Sequence, residues 1–203
     1  MKTQTSIITP QTIASAMDYD VYREFIRERL TNNQSTGNNH SESMVNYTTL
    51  NERRMKRLDK TMKLTADTIA TVEQIKRPQI WLVLTEGWCG DAAQTVPIMV
   101  KMASQSPNVE LKFILRDENL DIMDEFLTKG GRSIPKLIVL DKETLDVLGD
   151  WGPRPAEAQD LFWEAKKSPD FVYAEVQKDL QIWYTKDKGK STQRELVELL
   201  NNI

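Results

Sequence analysis

The stretch Gln79–Ala92, QIWLVLTEGWCGDA, carries the most information about the fold. Its first half, 80–85, is a short apolar run of the kind that forms a buried strand. Its second half places Cys89 between that strand and a predicted helix that begins near Asp91. Backbone N–H groups and the dipole at a helix N-terminus favour negative charge, so this position can stabilise a thiolate. Cys89 is the only cysteine of the 203 residues, so no disulfide can form within one chain.

Alternating strands and helices follow this stretch, and the predicted order over 78–167 is βαβαββα. Such alternation favours parallel pairing of the first two strands, and the short last connection favours a hairpin. Gly130–Gly131 indicates a helix end, since no Lys-Ser or Lys-Thr follows in the spacing of a phosphate-binding loop. The predicted strands are 80–85, 109–116, 136–140 and 144–149, and the predicted helices are 91–105, 119–129 and 155–167.

Residues 1–77 are predicted to form a helical extension that packs on the following domain, 78–167. Apolar residues recur at helical spacing over 18–30 and again over 49–76. These apolar stripes need a partner surface in a folded chain. The polar stretch 31–46 has the composition of a loop.

A C-terminal helical segment is predicted for residues 168–203. A capping-box pattern at Thr192 with Glu195 indicates a helix start in this segment. The same pattern occurs in the N-terminal extension, at Thr49 with Glu52, and indicates a helix start there. The helices expected in the C-terminal segment are 171–184 and 192–201.

Composition and charge exclude several function classes. A net charge of −3 and a pI near 5.4 provide no general attraction to nucleic acid. The first twelve residues carry one lysine and no long apolar stretch, unlike a signal peptide, and the run 80–84 is too short to cross a bilayer. A single cysteine is typical of a reducing compartment. We therefore expect a cytoplasmic protein with no membrane or nucleic-acid partner.

Four features together resemble the thioredoxin superfamily. Trp88–Gly90 lies between a strand and a helix, and Pro97 falls inside that helix, eight residues after the cysteine. Ser133–Pro135 immediately precedes a strand. The predicted order of elements around these motifs, βαβ followed by ββα, is the order found in the thioredoxin superfamily. The resemblance covers about residues 78–165. It implies a three-layer α/β/α fold with a mixed central sheet, here with an N-terminal helical extension and C-terminal helices.

The resemblance also implies roles for the site residues. Cys89 matches the nucleophilic cysteine, and Trp88 and Gly90 match the substrate-binding surface around it. Ile134 matches the residue whose backbone pairs with an extended substrate. Pro135 matches the cis-proline, and a cis bond is expected there because only X–Pro bonds tolerate it at low cost.

The sequence also departs from the thioredoxin pattern. Ala92 replaces the resolving cysteine, Asp91 replaces the proline between the two cysteines, and Val83 replaces the buried acid. Exchange through an internal disulfide is therefore unavailable. Asp91 also belongs to the expected substrate-binding surface, where its carboxylate raises a cysteine pKa while the helix terminus lowers it. The direction of the net shift of the Cys89 pKa stays open. Asp91 is equally a favourable residue for the first turn of the helix, where the helix dipole favours an acid.

Three interpretations of Cys89 stay open. It is a working thiol, a small structural residue in an inherited fold, or a ligand of a metal or cluster that needs a second chain. His40, the only histidine, is expected in a solvated loop, although a Cys–His pair is the alternative. The basic run 53–63 indicates the wet face of a helix or an anion-attracting surface.

Two function hypotheses follow. In the first, the chain is a single-cysteine thiol–disulfide oxidoreductase of cytoplasmic redox homeostasis, and an external thiol regenerates the mixed disulfides of Cys89. In the alternative, it is a redox-inactive binding module that holds an extended peptide in the groove between Trp88 and Ile134–Pro135. The expected partner is a protein or a small thiol or disulfide. No cofactor or metal is expected, and a homodimer is allowed.

Overall fold

The computed structural model describes residues 7–203. Nine α-helices and four strands are assigned in this range, with a 3₁₀ turn at Arg116–Glu118. The helices are α1 Pro10–Ser15, α2 Tyr19–Thr31, α3 Glu42–Thr61, α4 Ala66–Glu73, α5 Gly90–Ala103, α6 Leu120–Asp124, α7 Ala156–Lys166, α8 Tyr173–Asp187 and α9 Lys190–Asn201. The strands are β1 Gln79–Thr85, β2 Val109–Leu115, β3 Lys136–Asp141 and β4 Val147–Trp151.

The strands form one mixed sheet in the order β2-β1-β3-β4. β1 pairs with β2 in parallel and with β3 antiparallel, and β3 and β4 form an antiparallel hairpin. Every residue of β1 and β3 is buried, because helices cover both faces of these central strands. The predicted βαβαββα order and the thioredoxin-like α/β fold are therefore confirmed.

The central position of β1 is occupied by an apolar residue. Val83 is fully buried and lies between Phe113 of β2 and Leu137 of β3. An unpaired carboxylate at this depth would be costly to ionise. With Val83 in place of the buried acid of the thioredoxin pattern, this strand carries no ionisable group at that position.

Helices from both ends of the chain contact this α/β core. α2 packs on β2 and α3, α3 packs on α5, and α9 packs on α4 and β4. The ring of Tyr22 in α2 stacks on Phe113 with centroids 5.2 Å apart. These contacts bury most of the apolar residues in the stripes of 18–30 and 49–76, although Val21 and Leu50 stay exposed. The division of the chain at 77 and 167 stays a prediction. Within the described range, no helix has the length and apolar character needed to cross a bilayer.

Two of the predicted helix starts are wrong. α3 begins at Glu42, inside the stretch predicted as a loop, and Thr49 lies within it with its hydroxyl donating to the Val45 carbonyl at 2.9 Å. α9 begins at Lys190, after Gly189 rather than at Thr192. A capping box is a local pattern, and packing of a longer helix overrides it.

The acid of the second capping-box pattern has a different partner. The Glu195 carboxylate accepts hydrogen bonds from Trp151 Nε1 and from the Ala156 backbone N–H, both at 2.8 Å. It therefore joins the end of β4 to the first turn of α7. This contact links residues about 40 positions apart, so a local pattern does not reveal it.

The hairpin and the helix before it also differ from the prediction. β4 begins at Val147 instead of 144, because the Asp141 carboxylate accepts the backbone N–H groups of Glu143 and Thr144 and extends the turn. The helix predicted over 119–129 is reduced to α6, five residues long. The first helix, α1, was not predicted and begins at a reciprocal pair of threonines, 9 and 12.

Candidate functional site

Cys89 caps the N-terminus of α5, at the carboxyl end of β1. Its Sγ accepts a hydrogen bond from the Ala92 backbone N–H at 3.4 Å and donates one to the Ile134 carbonyl at 3.2 Å. The peptide bond between Ile134 and Pro135 is cis. The helix start and the segment before β3 therefore meet at a single sulfur atom, whose residue is only 7% exposed.

The residues after Cys89 are covered by the C-terminal helices. Asp91 is buried and accepts from Arg154 at 2.5 Å and from the Tyr184 hydroxyl at 2.9 Å. The side chain of Gln181 in α8 lies over Gly90, so that a Cβ added there would be 3.2 Å from the Gln181 amide nitrogen. The carboxylate is thus held as one half of a buried ion pair, close to the thiol.

The protonation state of Cys89 follows from these surroundings. Burial and, to a smaller extent, the Asp91 carboxylate raise the pKa of the Cys89 thiol to about 12. The Ala92 N–H and the Arg154 guanidinium lower this pKa and are outweighed. The sequence left open whether the net shift of the Cys89 pKa is upward or downward. In the structure it is upward, so Cys89 is a neutral thiol at pH 7.

Two cavities meet at this thiol. The helix-walled cavity, about 310 Å³, lies between α3 and α8, and the cationic cleft, about 430 Å³, lies between α7 and the segment 128–134. Both are lined by Trp88, Cys89, Asp91 and Tyr173. The helix-walled cavity adds Tyr47, Leu50, Arg54, Gln177 and Gln181, and the cationic cleft adds Arg116, Lys129, Arg132, Ile134, Arg154, Trp163 and Lys166.

The cationic cleft has unsatisfied polar groups as well as excess positive charge. Three of its five cations pair with aspartates. The other two, Lys129 and Lys166, have no ion-pair partner among residues 7–203, since the nearby pair with Glu164 is formed by Lys167. The two free Nζ atoms each lie 4.8 Å from the Trp163 ring centroid. Trp163 Nε1 and Thr128 Oγ1 are buried without a hydrogen-bond partner in the described range. The two unpaired lysines therefore give the cleft uncompensated positive charge, which favours an anionic ligand.

A buried acid that the sequence analysis did not select lies beside this site. Glu86 is fully buried, accepts from the Thr36 hydroxyl, and accepts from the Asp117 backbone N–H at 3.0 Å. Burial raises the pKa of Glu86 to about 7. Its neighbour Arg116 stacks on Trp88, with the guanidinium carbon 4.9 Å from the ring centroid. Glu86 thus anchors the loop before α3 to the turn that presents Trp88.

The structure brings most of the predicted site residues to one end of the sheet. Trp88, Cys89, Asp91 and Ile134 line the cationic cleft, Gly90 lines the helix-walled cavity, and Pro135 follows Ile134. His40 is exposed and lines neither cavity. Residues 7–203 contain no group of three or more His, Cys, Asp or Glu side chains that can hold a metal ion.

Sequence reasoning missed the partners of Asp91. Arg154 is 63 residues away and Tyr184 is 93 residues away, on α8. The only signal for Arg154 is its place in a turn between two prolines, which marks a rigid loop and no particular partner. A half-buried cation of the basic run, Arg54, also lines the helix-walled cavity and donates to Asn51 Oδ1 at 2.9 Å.

Comparison with known proteins agrees with this geometry. A sequence model of a thioredoxin family matches residues 37–168, which is well over half of the chain. No curated protein matches the sequence.

Two solved structures are similar in fold. One is the 1.5 Å crystal structure of a protein of unknown function, PA1234 from Pseudomonas aeruginosa. It has a TM-score of 0.60 and 17% identity over 93% of this chain and 94% of that chain. The other is an HIV epitope-scaffold, with a TM-score of 0.54 and 18% identity over 87% of this chain and 98% of that chain. At such identities the likeness shows a shared fold alone.

Proposed function

Because the chain belongs to a thioredoxin family, we propose that it uses the Cys89 end of the fold to bind an extended, acidic polypeptide segment in the cationic cleft. The observation that carries this proposal is the charge of the cleft. Five cationic side chains line it, and Asp91 is the only carboxylate among its described lining residues. Arg154 already neutralises that carboxylate, so an acidic ligand meets a surplus of positive charge.

The free cations give the cleft its preference for acidic side chains. Lys129 and Lys166 have no carboxylate partner among residues 7–203, and the Nζ atom of each lies 4.8 Å from the centroid of the Trp163 ring. The thioredoxin resemblance adds the expectation that the Ile134 backbone pairs with an extended chain.

The state of the thiol favours binding over redox chemistry as the main function. With a pKa of about 12, Cys89 is a thiolate at pH 7 in only about one molecule in 10⁵, compared with a few per cent for a free cysteine. The thiolate is the nucleophile in disulfide exchange, so the reaction is slow in this conformation. Peptide binding does not require the thiolate.

Binding is tested by fluorescence anisotropy with a labelled peptide of eight alternating Glu and Ser residues and its Gln-Ser counterpart. We expect the acidic peptide to bind at least tenfold more tightly. The double variant K129Q/K166Q is expected to weaken the acidic peptide about tenfold, and C89S to leave it unchanged. The matched control K60Q/K76Q changes the net charge equally at exposed lysines outside the cleft. Equal affinity for the two peptides, or an equal loss in the control, would contradict the proposal.

A second candidate function is thiol exchange by Cys89 in cytoplasmic redox homeostasis. The observation that favours it is that Cys89 lines both cavities, so a disulfide bound in either one lies beside its sulfur. In the first step, the thiol loses its proton to solvent, its sulfur bonds to one sulfur of the disulfide, and the other sulfur leaves as a thiolate. An external thiol then attacks the mixed disulfide and releases Cys89.

Alkylation of Cys89 by iodoacetamide from pH 7 to 11 separates the two functions. The binding function predicts a slow reaction at pH 7 that accelerates throughout this range. The redox function predicts a fast reaction at pH 7 and mixed disulfides in lysate that are absent from a C89S control. Fast alkylation together with no acidic-peptide binding would reverse the order of the two candidates.

A further inference from the structure

A third cavity lies away from Cys89 and is larger than the two cavities that meet there. It has a volume of about 620 Å³ and lies between the C-terminal end of α3, the segment leading into α4, and the turn between α8 and α9. None of its lining residues lines the helix-walled cavity or the cationic cleft. We name it the turn cavity. Its size is within the range of cavities that bind small organic ligands.

Four cations surround the turn cavity without compensating acids. Arg57, Lys63, Lys188 and Lys190 line it, and no carboxylate is among its described lining residues. Within residues 7–203, none of the four forms an ion pair. The acid next in sequence, Asp187, is occupied, because its oxygens accept hydrogen bonds from the first turn of α9 at 2.7–3.2 Å.

The cations come from two segments of the chain that are held together by buried contacts. The amide of Gln193, 1% exposed, accepts from the Thr65 backbone N–H at 2.8 Å and donates to the Lys63 carbonyl at 3.3 Å. Gly189, in the left-handed region at φ +76°, lies so close to Met62 that a Cβ would be 2.8 Å from its methyl carbon. The two walls are therefore fixed relative to each other, which distinguishes the cavity from a row of solvated lysines.

The inner wall of the turn cavity is apolar. Leu58, Met62 and Tyr184 are buried and Leu64 is half-buried, and all four contribute to the lining. Burial of a hydrocarbon or aromatic group against such a wall is favourable because it removes apolar surface from water. A ligand that satisfies both parts of the cavity carries a negative charge at one end and an apolar body at the other.

We propose that the turn cavity binds a small organic anion with an apolar body. The cations of the α3 end and of the α8–α9 turn hold its carboxylate or phosphate group, and the leucine and methionine side chains contact its hydrocarbon part. This site is separate from the peptide-binding function proposed above. It gives the basic run 53–63 a role as one wall of an anion site.

The test uses the full chain and the fluorescent probe 8-anilinonaphthalene-1-sulfonate, a sulfonate on an aromatic body. We expect saturable binding, displaced by decanoate and by decyl phosphate, and at least tenfold less well by neutral decanol. Whichever acid displaces the probe at the lower concentration identifies the preferred head group. Displacement by decanol as efficient as by the two acids would overturn the proposal.

Charge-matched variants locate the probe. K63Q/K188Q is expected to weaken probe binding at least tenfold, whereas the control K60Q/K186Q, at exposed lysines outside the cavity, leaves it within twofold. R54Q, in the helix-walled cavity, is also expected to have no effect. Unchanged binding in K63Q/K188Q, or equal weakening in the control, would overturn the proposal, provided that thermal melting shows all variants folded.

Discussion

Replacing Asp91 with Asn is predicted to make the protein less stable and Cys89 more reactive at the same time. The Asp91 carboxylate is ion-paired with Arg154 at 2.5 Å, and both side chains are less than 10% exposed. Removal of one partner leaves the guanidinium buried and uncompensated, which costs about 3–5 kcal/mol of unfolding free energy. For a chain of this length, that loss lowers the melting temperature by roughly 6–20 °C.

The reactivity changes in the opposite direction. The carboxylate raises the pKa of Cys89 and the guanidinium lowers it, so D91N removes the first influence and leaves the second. Each unit by which the pKa falls multiplies the thiolate fraction at neutral pH about tenfold. Burial is the largest cause of the raised pKa and is unchanged, so the pKa of Cys89 is expected to stay above that of a free cysteine.

Two measurements follow both effects, namely thermal unfolding by circular dichroism and iodoacetamide alkylation at pH 8 followed by mass spectrometry. The double variant D91N/R154Q removes both charges, so its loss of stability should be smaller than the sum of the single losses. Its alkylation rate should lie below that of D91N. If D91N melts like the natural protein and its alkylation rate is unchanged, the buried pair does not have the role described here.

Three further substitutions test separate parts of the site. Ala92→Cys, beside the single thiol, should form an internal disulfide on mild oxidation, so that a thiol count falls from two to zero; two thiols remaining would show that the assumed geometry is wrong. Glu86 has a pKa raised to about 7, so its contribution to the free energy of unfolding is full below about pH 4.5. As pH rises from 4.5 through 7, about 3 kcal/mol of this contribution is lost. Denaturant unfolding of Glu86→Gln should therefore depend less on pH between 4.5 and 7 than unfolding of the unsubstituted protein. Gly152→Ala places a Cβ 2.2 Å from the Pro135 carbonyl oxygen, whereas the Cβ of the control Gly130→Ala meets no atom within 4 Å. Gly152→Ala should therefore destabilise the protein by at least about 2 kcal/mol more than the control. Equal losses of unfolding free energy in the two variants would contradict the close packing of this turn.

The order of strands and helices along the chain was predictable because its signals are local. The apolar run of β1 is continuous and every residue in it is buried, as a central strand requires. The alternation of strands with helices indicated the parallel pair of β1 and β2, and the short connection before β4 indicated the hairpin; the sheet contains both. Strand and helix ends were less predictable, because side chains such as Asp141 extend turns through contacts that propensity does not contain.

The candidate site was predictable only where it resembles a known pattern. The position of Cys89 at a helix start follows from the sequence around it, and its contact with the Ile134 carbonyl agrees with the spacing of Ile-Pro before a strand. The cover of α8 over Gly90 and the ion pair of Asp91 follow from no local pattern. They arise when the C-terminal segment folds back, and they decide that the thiol is neutral.

The helix-walled cavity has a consequence for how selectivity can diverge among related chains. One of its walls, α3, lies inside the region matched by the thioredoxin family, whereas the opposite wall, α8, lies after residue 168, where that match ends. Chains that inherit the matched region with a different C-terminal helix would retain the cysteine and most of the cationic cleft, to which α8 contributes only Tyr173, and would acquire a new second wall. On one side of the sulfur atom the lining therefore depends mainly on the thioredoxin fold, whereas on the other side it depends on a helix outside the matched region.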